Sequence, residues 1–473
     1  MNKAEEEKPP QSEKSADLQE LKLVSITWPV FLELFLFMLM GIADTLMLSA
    51  VSDNAVSGVG AANQYIFIAI LILEVIGHGA SIVVSQYLGA KQWLGASRIS
   101  AVAVTLNLMA GAAISAGFLL FGSRLLSAVN LQGDILVHAQ TYLAIVGGCL
   151  FLQAFINVLS SLIRTYGFTR ETMLVSLGMN VFHVLLNYVL IFGRFGFPEM
   201  GVAGAAVSSV VSRAAGVLVF FWLFYRLMEI KPRLADYFNL TKEYVRKILK
   251  IGVPSAFESV TYHTCQSVFL YFVTFLGAEA LASRQYAMNI SNLIYLFNAA
   301  VGIGTAIITG RLVGAKRTEE AYRRVWVSLG WGFVVTLAVD ITVIAFRDPI
   351  IGVFTSDQGI IRLTSQIIVL SIFLESGRTL NMILISSLRA AGDAKFPVYM
   401  GFISMIGISL PLGYFLSFRL NMGLAGIWLA IAADEWIRGI LMFLRWRSRA
   451  WERRSLVGDA GSGIPAPDKG GSL

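Results

Sequence analysis

Residues 28–48 read WPVFLELFLFMLMGIADTLML. The stretch is about twenty residues long and mostly apolar, enough to cross a bilayer as a helix. Two carboxylates interrupt it, Glu33 and Asp44, and a proline stands near its start, Pro29. Eleven positions at ~100° each come to ~1100°, within about 20° of three whole turns. Both acids therefore share one helix face, ~16 Å apart along the axis. A carboxylate near mid-membrane costs roughly 2.5–3.5 kcal/mol, so such a residue faces a cavity or a partner rather than lipid. Two readings stay open: an ion-carrying acid in a transport path, or a neutral packing acid hydrogen-bonded to a neighbouring helix. Glu33 sits nearer the end expected to be cytoplasmic.

The rest of the chain supports the membrane reading. Of 473 residues, 56% are hydrophobic and only 14% charged, too apolar throughout for a soluble chain. This pattern predicts an all-α polytopic membrane protein. The formal charge of +7 is no nucleic-acid signal, because the basic residues fall in loops between apolar spans. Cys149 and Cys265 lie far apart in predicted helices, with no CxxC pattern and no disulfide framework. The charged N-terminus lacks the apolar core of a signal peptide. Residues 1–22 and the end of the 447–473 segment, GDAGSGIPAPDKGGSL, read as disordered tails.

Apolar runs place twelve spans near 25–48, 58–84, 98–121, 137–160, 173–193, 202–225, 250–275, 284–309, 325–346, 360–386, 396–417 and 423–444. Lys and Arg number 28 on the side of the N-terminus and 6 on the other, which places both termini in the cytoplasm. The basic linker at 227–249 divides the spans six and six, into an N-lobe at 23–226 and a C-lobe at 250–446. The halves repeat. A shift of 225 carries Pro29 onto Pro254, Glu33 onto Glu258, Gly77 onto Gly302 and Gly79 onto Gly304. It also carries Gly89-Ala90-Lys91 onto Gly314-Ala315-Lys316, and Arg164 with Gly167 onto Arg389 with Gly392. An even number of spans separates the copies, so the repeats are parallel, about an axis along the membrane normal. Two six-helix bundles around a central cleft suit alternating access.

These features, with GIADTLMLSAVSDNAVSGVGAANQ at 41–64, the repeated Gly-Ala-Lys loops, Leu388-Arg389-Ala-Ala-Gly392-Asp393 and LNYVLIFG at 186–193, resemble the multidrug and toxin extrusion (MATE) antiporters. The resemblance runs from about Leu23 to Arg449. It implies a V-shaped pair of lobes exporting amphipathic, often cationic compounds in exchange for H⁺ or Na⁺. It implies that Asp44 is the principal N-lobe cation residue, with partners at Asn180, Asn187 and Ser209. One branch has an aspartate where Asn187 stands, so this chain departs from that branch. Another branch pairs an acid in the seventh span with an aspartate in the tenth. Eleven residues before Arg389 stands Arg378 instead, so the sodium site of that branch is expected to be absent.

Chemistry alone leaves the N-lobe cluster open. One carboxylate with amide and hydroxyl oxygens suits a small hard cation such as Na⁺ at Asp44, Asn180 and Asn187. The same cluster suits a proton, since burial raises a carboxyl pKa. The third reading is that Asn180 and Asn187 glue helices together. In the C-lobe, Glu258 is expected to pair with Arg378, or Glu375 with Arg378 three residues on. An Arg378 open to the cleft would favour anionic substrates. Glu74 and His78 form a second i,i+4 pair, Asp434 and Arg438 a third; His183 and His263 read as helix-interface residues. Met38, Met40, Tyr65, Tyr262 and Tyr286 are candidate drug-contacting side chains.

The expected function is efflux of amphipathic organic molecules by antiport with H⁺ or Na⁺, without an organic cofactor. The expected partners are the substrate and the bilayer, with no nucleic acid, in a monomer of the bacterial inner membrane. Pro29, Gly41 and Pro254 are the candidate hinges. The alternative is a lipid-linked oligosaccharide flippase of the same superfamily, disfavoured by the scarcity of Arg and Lys within the spans. No HExxH, GxSxG or Walker A pattern occurs, which argues against an embedded enzyme.

Overall fold

The computed structural model describes residues 22–129 and 131–457; the two stretches expected to be disordered tails fall outside them, apart from Lys22 and residues 447–457. Every described segment that crosses the apolar layer is helical, as backbone groups without water demand. The first half contains α1 (Leu23–Ser49), α2 (Asp53–Gly89), α3 (Trp93–Ser127), α4 (Gly133–Tyr142), α5 (Leu150–Thr165), α6 (Thr169–Ile191) and α7 (Gly201–Leu227). A short α8 (Leu234–Phe238) leads to the second half: α9 (Lys242–Thr274), α10 (Ala278–Gly314), α11 (Thr318–Ala345), α12 (Arg347–Gly352) and α13 (Gln358–Ala390). It ends with α14 (Lys395–Ser404), α15 (Leu410–Tyr414) and α16 (Gly423–Arg447). Helices α4 and α5 form one pass, bent by 48° and joined through a π-helical turn at Leu143–Gly147. Two further π turns, Met405–Ser409 and Phe415–Arg419, link α14 and α15 into a single pass.

Nine of these helices are long and apolar enough to cross a membrane, ten with the bent pair. The other two passes are α9 and α16, which carry Glu258 and the Asp434, Glu435, Arg438 group. Twelve passes result, and the chain is a multi-pass membrane protein. The seventh pass begins at Lys242 rather than near 250. Its first turns are charged on one side, so an apolar run cannot reveal them, yet Ile248 is fully buried.

The internal repeat survives in three dimensions. Helices α2 and α10 start at 53 and 278 and end at 89 and 314, the same offset of 225 at both ends. Gly167 and Gly392, also 225 apart, both adopt positive φ, 103° and 94°, a backbone region in which a Cβ is strained. Where α2 meets α10, a Cβ on Gly89 would lie 1.9 Å from Arg311 O, and one on Gly314 1.9 Å from Gln86 O. The crossing is locked by repeat-related bonds: Gln86 Nε2 donates to Ala390 O at 2.6 Å, and Arg311 donates to Thr165 O at 2.7 Å.

The core divides by level. Beside the Gly-Ala-Lys loops, one buried cluster joins Ile82 and Val83 to Ile248, Ala394 and Leu456, and another joins Leu23, Ile26 and Val30 to Ile308 and Leu384. Both mix the two halves. At the opposite end, one cluster draws only on the first half (Leu48, Ala62, Val202) and the other only on the second (Phe269, Ile367, Trp428). The halves are therefore fastened at the basic-loop end and separate at the other, a V with Asp44 on the first-half wall.

Helix α1 runs unbroken through Pro29. The carbonyl that proline leaves without a donor, Ser25 O, faces the Thr169 hydroxyl at 3.5 Å.

Candidate ion-coupling site

Asp44 lies on α1 against α6, its side chain 13% exposed. Its Oδ1 meets two nitrogens, His183 Nε2 at 2.7 Å and Asn187 Nδ2 at 2.6 Å. His183 and Asn187 are one turn apart on α6, and both are fully buried. Behind them stands α7. The Ser208 hydroxyl donates to Asn187 Oδ1, and His183 Nδ1 lies 3.2 Å from Ser212 Oγ. Ser212 in turn donates to Ser209 O at 3.1 Å. Arg213, also on α7, and Tyr142, at the end of α4, are the electrostatic neighbours of the Asp44 carboxylate. One acid, one imidazole and one amide thus share a single oxygen.

The expected ligand set is only partly assembled. Asn187 contacts Asp44, whereas Asn180 does not: its Nδ2 donates to Ser176 O of its own helix, and its Oδ1 is buried without a partner. Seven residues are two turns, so Asn180 shares the face but sits a level away. Ser209 makes no bond to Asp44; Ser208 and Ser212 flank it and bond Asn187 and His183 instead. His183, expected to be a helix-interface residue, is the direct partner of the acid. The signal available in the sequence was its i,i+4 spacing to Asn187.

The second acid of α1, Glu33, is 1% exposed and sits 3.1 Å from Arg164 of α5, with the Thr172 hydroxyl donating to it at 3.0 Å. Its repeat mate Glu258 pairs with Arg389 at 2.6 Å, Arg389 being the repeat mate of Arg164. The expected Glu258–Arg378 pair does not form. Glu258 instead has Arg438 as a second neighbour at 3.9 Å. Arg378 pairs with Glu375 at 2.7 Å, the i,i+3 alternative, and approaches Glu435 at 3.8 Å. Arg438 also reaches Asp434 at 2.8 Å and Glu435 at 3.1 Å. Asn381 donates to Glu435 and the Ser404 hydroxyl to Asp434. Arg378 is 6% exposed, so it is enclosed by its acids rather than open to the cleft. No hydrogen bond joins Glu74 to His78 among the described residues. Asp340 is 3% exposed and its Oδ2 has no partner.

The hinge candidates differ in setting. Gly41 has open space around it, and Pro254 sits one turn before Glu258 inside the continuous α9.

Comparison with known proteins fits this duplicated V. The MatE family model matches residues 29–189 and again 254–415, two stretches that begin 225 apart. The chain belongs to the MatE family. Its relatives include the uncharacterized transporter YisQ of Bacillus subtilis, 43% identical over 94% of this chain and 97% of that protein. The probable multidrug resistance protein NorM of Thermotoga maritima is 31% identical over 92% of this chain and 94% of its own length. Among solved structures, an outward-facing multidrug-resistance MATE transporter superposes with a TM-score of 0.86 at 19% identity, covering 94% of this chain and all of that one. A MATE transporter in a bent conformation gives 0.85 at 21% identity, covering 93% of this chain and 98% of the other. These last two likenesses are of fold. As a MatE protein this chain is a membrane transporter.

Proposed function

We propose that this MatE transporter exports small amphipathic organic molecules by antiport, and that Asp44 carries the coupling ion, H⁺ or Na⁺. The observation that supports it is the setting of this carboxylate. It is held by an imidazole and an amide and makes no ion pair with a Lys or Arg side chain among the described residues, Arg213 being an electrostatic neighbour without a bond to it. With the Lys- and Arg-rich loops on the cytoplasmic side, both termini are inside and the open end of the V faces out. Ion binding at Asp44 shifts the transport cycle only if the loaded and unloaded states prefer different cleft openings. Helix α1 supplies that link, because it carries Asp44, is free of close neighbours at Gly41, and packs against both halves. The NorM relatives bear the name of multidrug resistance proteins, which favours organic drugs as substrates. A single chain holds both lobes and the cleft, so the working unit is a monomer in the bacterial cell membrane.

The test is Asp44→Asn in proteoliposomes. The variant inserts and folds but loses accumulation of a fluorescent organic cation against its gradient. Undiminished uphill transport by the variant overturns the assignment.

A further inference from the structure

We infer that the second half holds a small monovalent cation between Asp340 and Glu375, in the junction of α10, α11 and α13. The geometry starts one turn closer to the basic loops. There the hydroxyls of Thr336 on α11 and Thr379 on α13 lie 3.0 Å apart, each 3.2 Å from Asn298 Oδ1 on α10. Helices α11 and α13 are the ninth and tenth passes and run in opposite directions. Asp340 comes four residues after Thr336, and Glu375 four residues before Thr379. Both acids therefore project from the next turn of the same interface, toward each other. They are electrostatic neighbours, and Ser291 of α10 stands beside Glu375. Asp340 is 3% exposed and Glu375 fully buried. Among the described residues, Asp340 Oδ2, Glu375 Oε2 and Asn298 Nδ2 have no hydrogen-bond partner. Polar atoms buried at this depth call for a water or an ion.

Charge decides for the ion. Arg378 already holds Glu375 Oε1 at 2.7 Å, so that pair is neutral and the charge of Asp340 is left over. The nearby Arg438 answers three carboxylates of its own. A single surplus charge balances a monovalent cation, and carboxylate and hydroxyl oxygens are the ligands that a hard ion takes. A divalent ion would leave positive charge in the apolar layer. The first half shows the same junction without this task. An offset of 225 turns Asp340, Glu375, Thr336, Thr379 and Asn298 into Ser115, Leu150, Gly111, Ala154 and Leu73. There the helices close directly. A Cβ on Gly111 would lie 2.7 Å from that of Ala154, Leu73 and Leu150 are fully buried, and Ser115 accepts from Phe151 N. One copy packs this junction without a charge, so the fold does not demand the carboxylates of the other. The site shares no residue with the Asp44 cluster. It takes none from α9, the pass that supplies one acid of the sodium site in the related branch.

The experiment uses purified full-length protein carrying Asp44→Asn, so that an ion at the first-half carboxylate does not contribute. Its Tm is measured in detergent as NaCl replaces N-methyl-glucamine chloride at constant ionic strength. The expected result is a saturable rise in Tm, on the order of 2 °C. Adding Asp340→Asn abolishes the rise, whereas adding Glu33→Gln, which removes a buried carboxylate of the other half, leaves it in place. A Tm indifferent to sodium overturns the inference and leaves a water or a proton in the junction. A rise that survives Asp340→Asn overturns it as well. Should the variant with both substitutions fail to fold, equilibrium dialysis of Asp44→Asn against radioactive sodium decides: one ion per chain supports the site, and none contradicts it.

Discussion

The two halves share a backbone plan but treat buried charge in opposite ways. In the first half, Asp44 is held by the imidazole of His183 and the amide of Asn187. In the second, the carboxylates of Glu258, Glu375, Asp434 and Glu435 are laced to Arg378, Arg389 and Arg438. Guanidinium does not lose its proton in the working range, so that network keeps its charges in place. Duplication therefore supplied one scaffold twice: one copy holds its carboxylate with an imidazole and an amide, and the other sets its carboxylates in a network of guanidinium groups. Only the clamp at the base of α1 and α9 remains common to both: Glu33 with Arg164, Glu258 with Arg389.

The contrast is sharpest in stability. Arg438 touches three carboxylates and is 3% exposed. Arg438→Gln strands buried negative charge at a cost of about 3–5 kcal/mol. The expected result is the largest drop in Tm among these variants, measured on purified protein in detergent. Asp44→Asn, by contrast, keeps a side chain of the same shape beside polar partners and leaves Tm close to wild type while coupling is lost. If Asp44→Asn destabilises as much as Arg438→Gln, the first-half site is structural too, and the comparison fails.

The shared clamps should behave as twins. Glu33→Gln and Glu258→Gln each remove a charge-assisted bond worth about 1.5–3 kcal/mol. Because the two clamps share no partner, their Tm losses in the double variant should add. A double variant no worse than either single one would mean that the clamps act as one unit.

The smallest effect is expected at the surface. Arg449 reaches Glu319 at 2.5 Å, and that hydrogen bond holds the Glu319 carboxyl below the usual carboxylate range. A depressed carboxyl stabilises at neutral pH and loses that contribution as pH falls through its own range. Both side chains are open to water, so Arg449→Ala should leave Tm and transport unchanged within error at neutral pH. A clear loss of transport would give this pair at the basic-loop end a role that the comparison of the lobes does not contain.

Much of the scaffold was legible in the sequence, because bilayer thickness sets the length of an apolar run and duplication leaves matching residues at a constant offset. That offset also held the clamps: it placed Glu33 on Glu258 and Arg164 on Arg389. Of the two pairings open to Arg378, the one with Glu375 forms, whereas Glu258 goes to Arg389, the repeat mate of Arg164; Arg378 stands out only through the resemblance, by its place eleven residues before Arg389. Helix ends such as Lys242–Leu249 escaped because charged turns outside the lipid layer carry no apolar signature. At the site, Asp44 and Asn187 stood out as polar residues in apolar spans. His183 stood out no less, but which polar residues of α6 share a level with Asp44 depends on the depth at which α1 and α6 pack. Sequence spacing along one helix gives the face and not that depth, so it could not correct the resemblance, which sets Asn180 beside Asp44 although its amide bonds its own helix.

The most direct measurement loads proteoliposomes with a pH-sensitive dye and imposes a substrate gradient with no ion gradient. If Asp44 carries the coupling ion as a proton, substrate flow drives protons the other way in wild type and not in Asp44→Asn. Equal proton flow in both proteins would contradict the account.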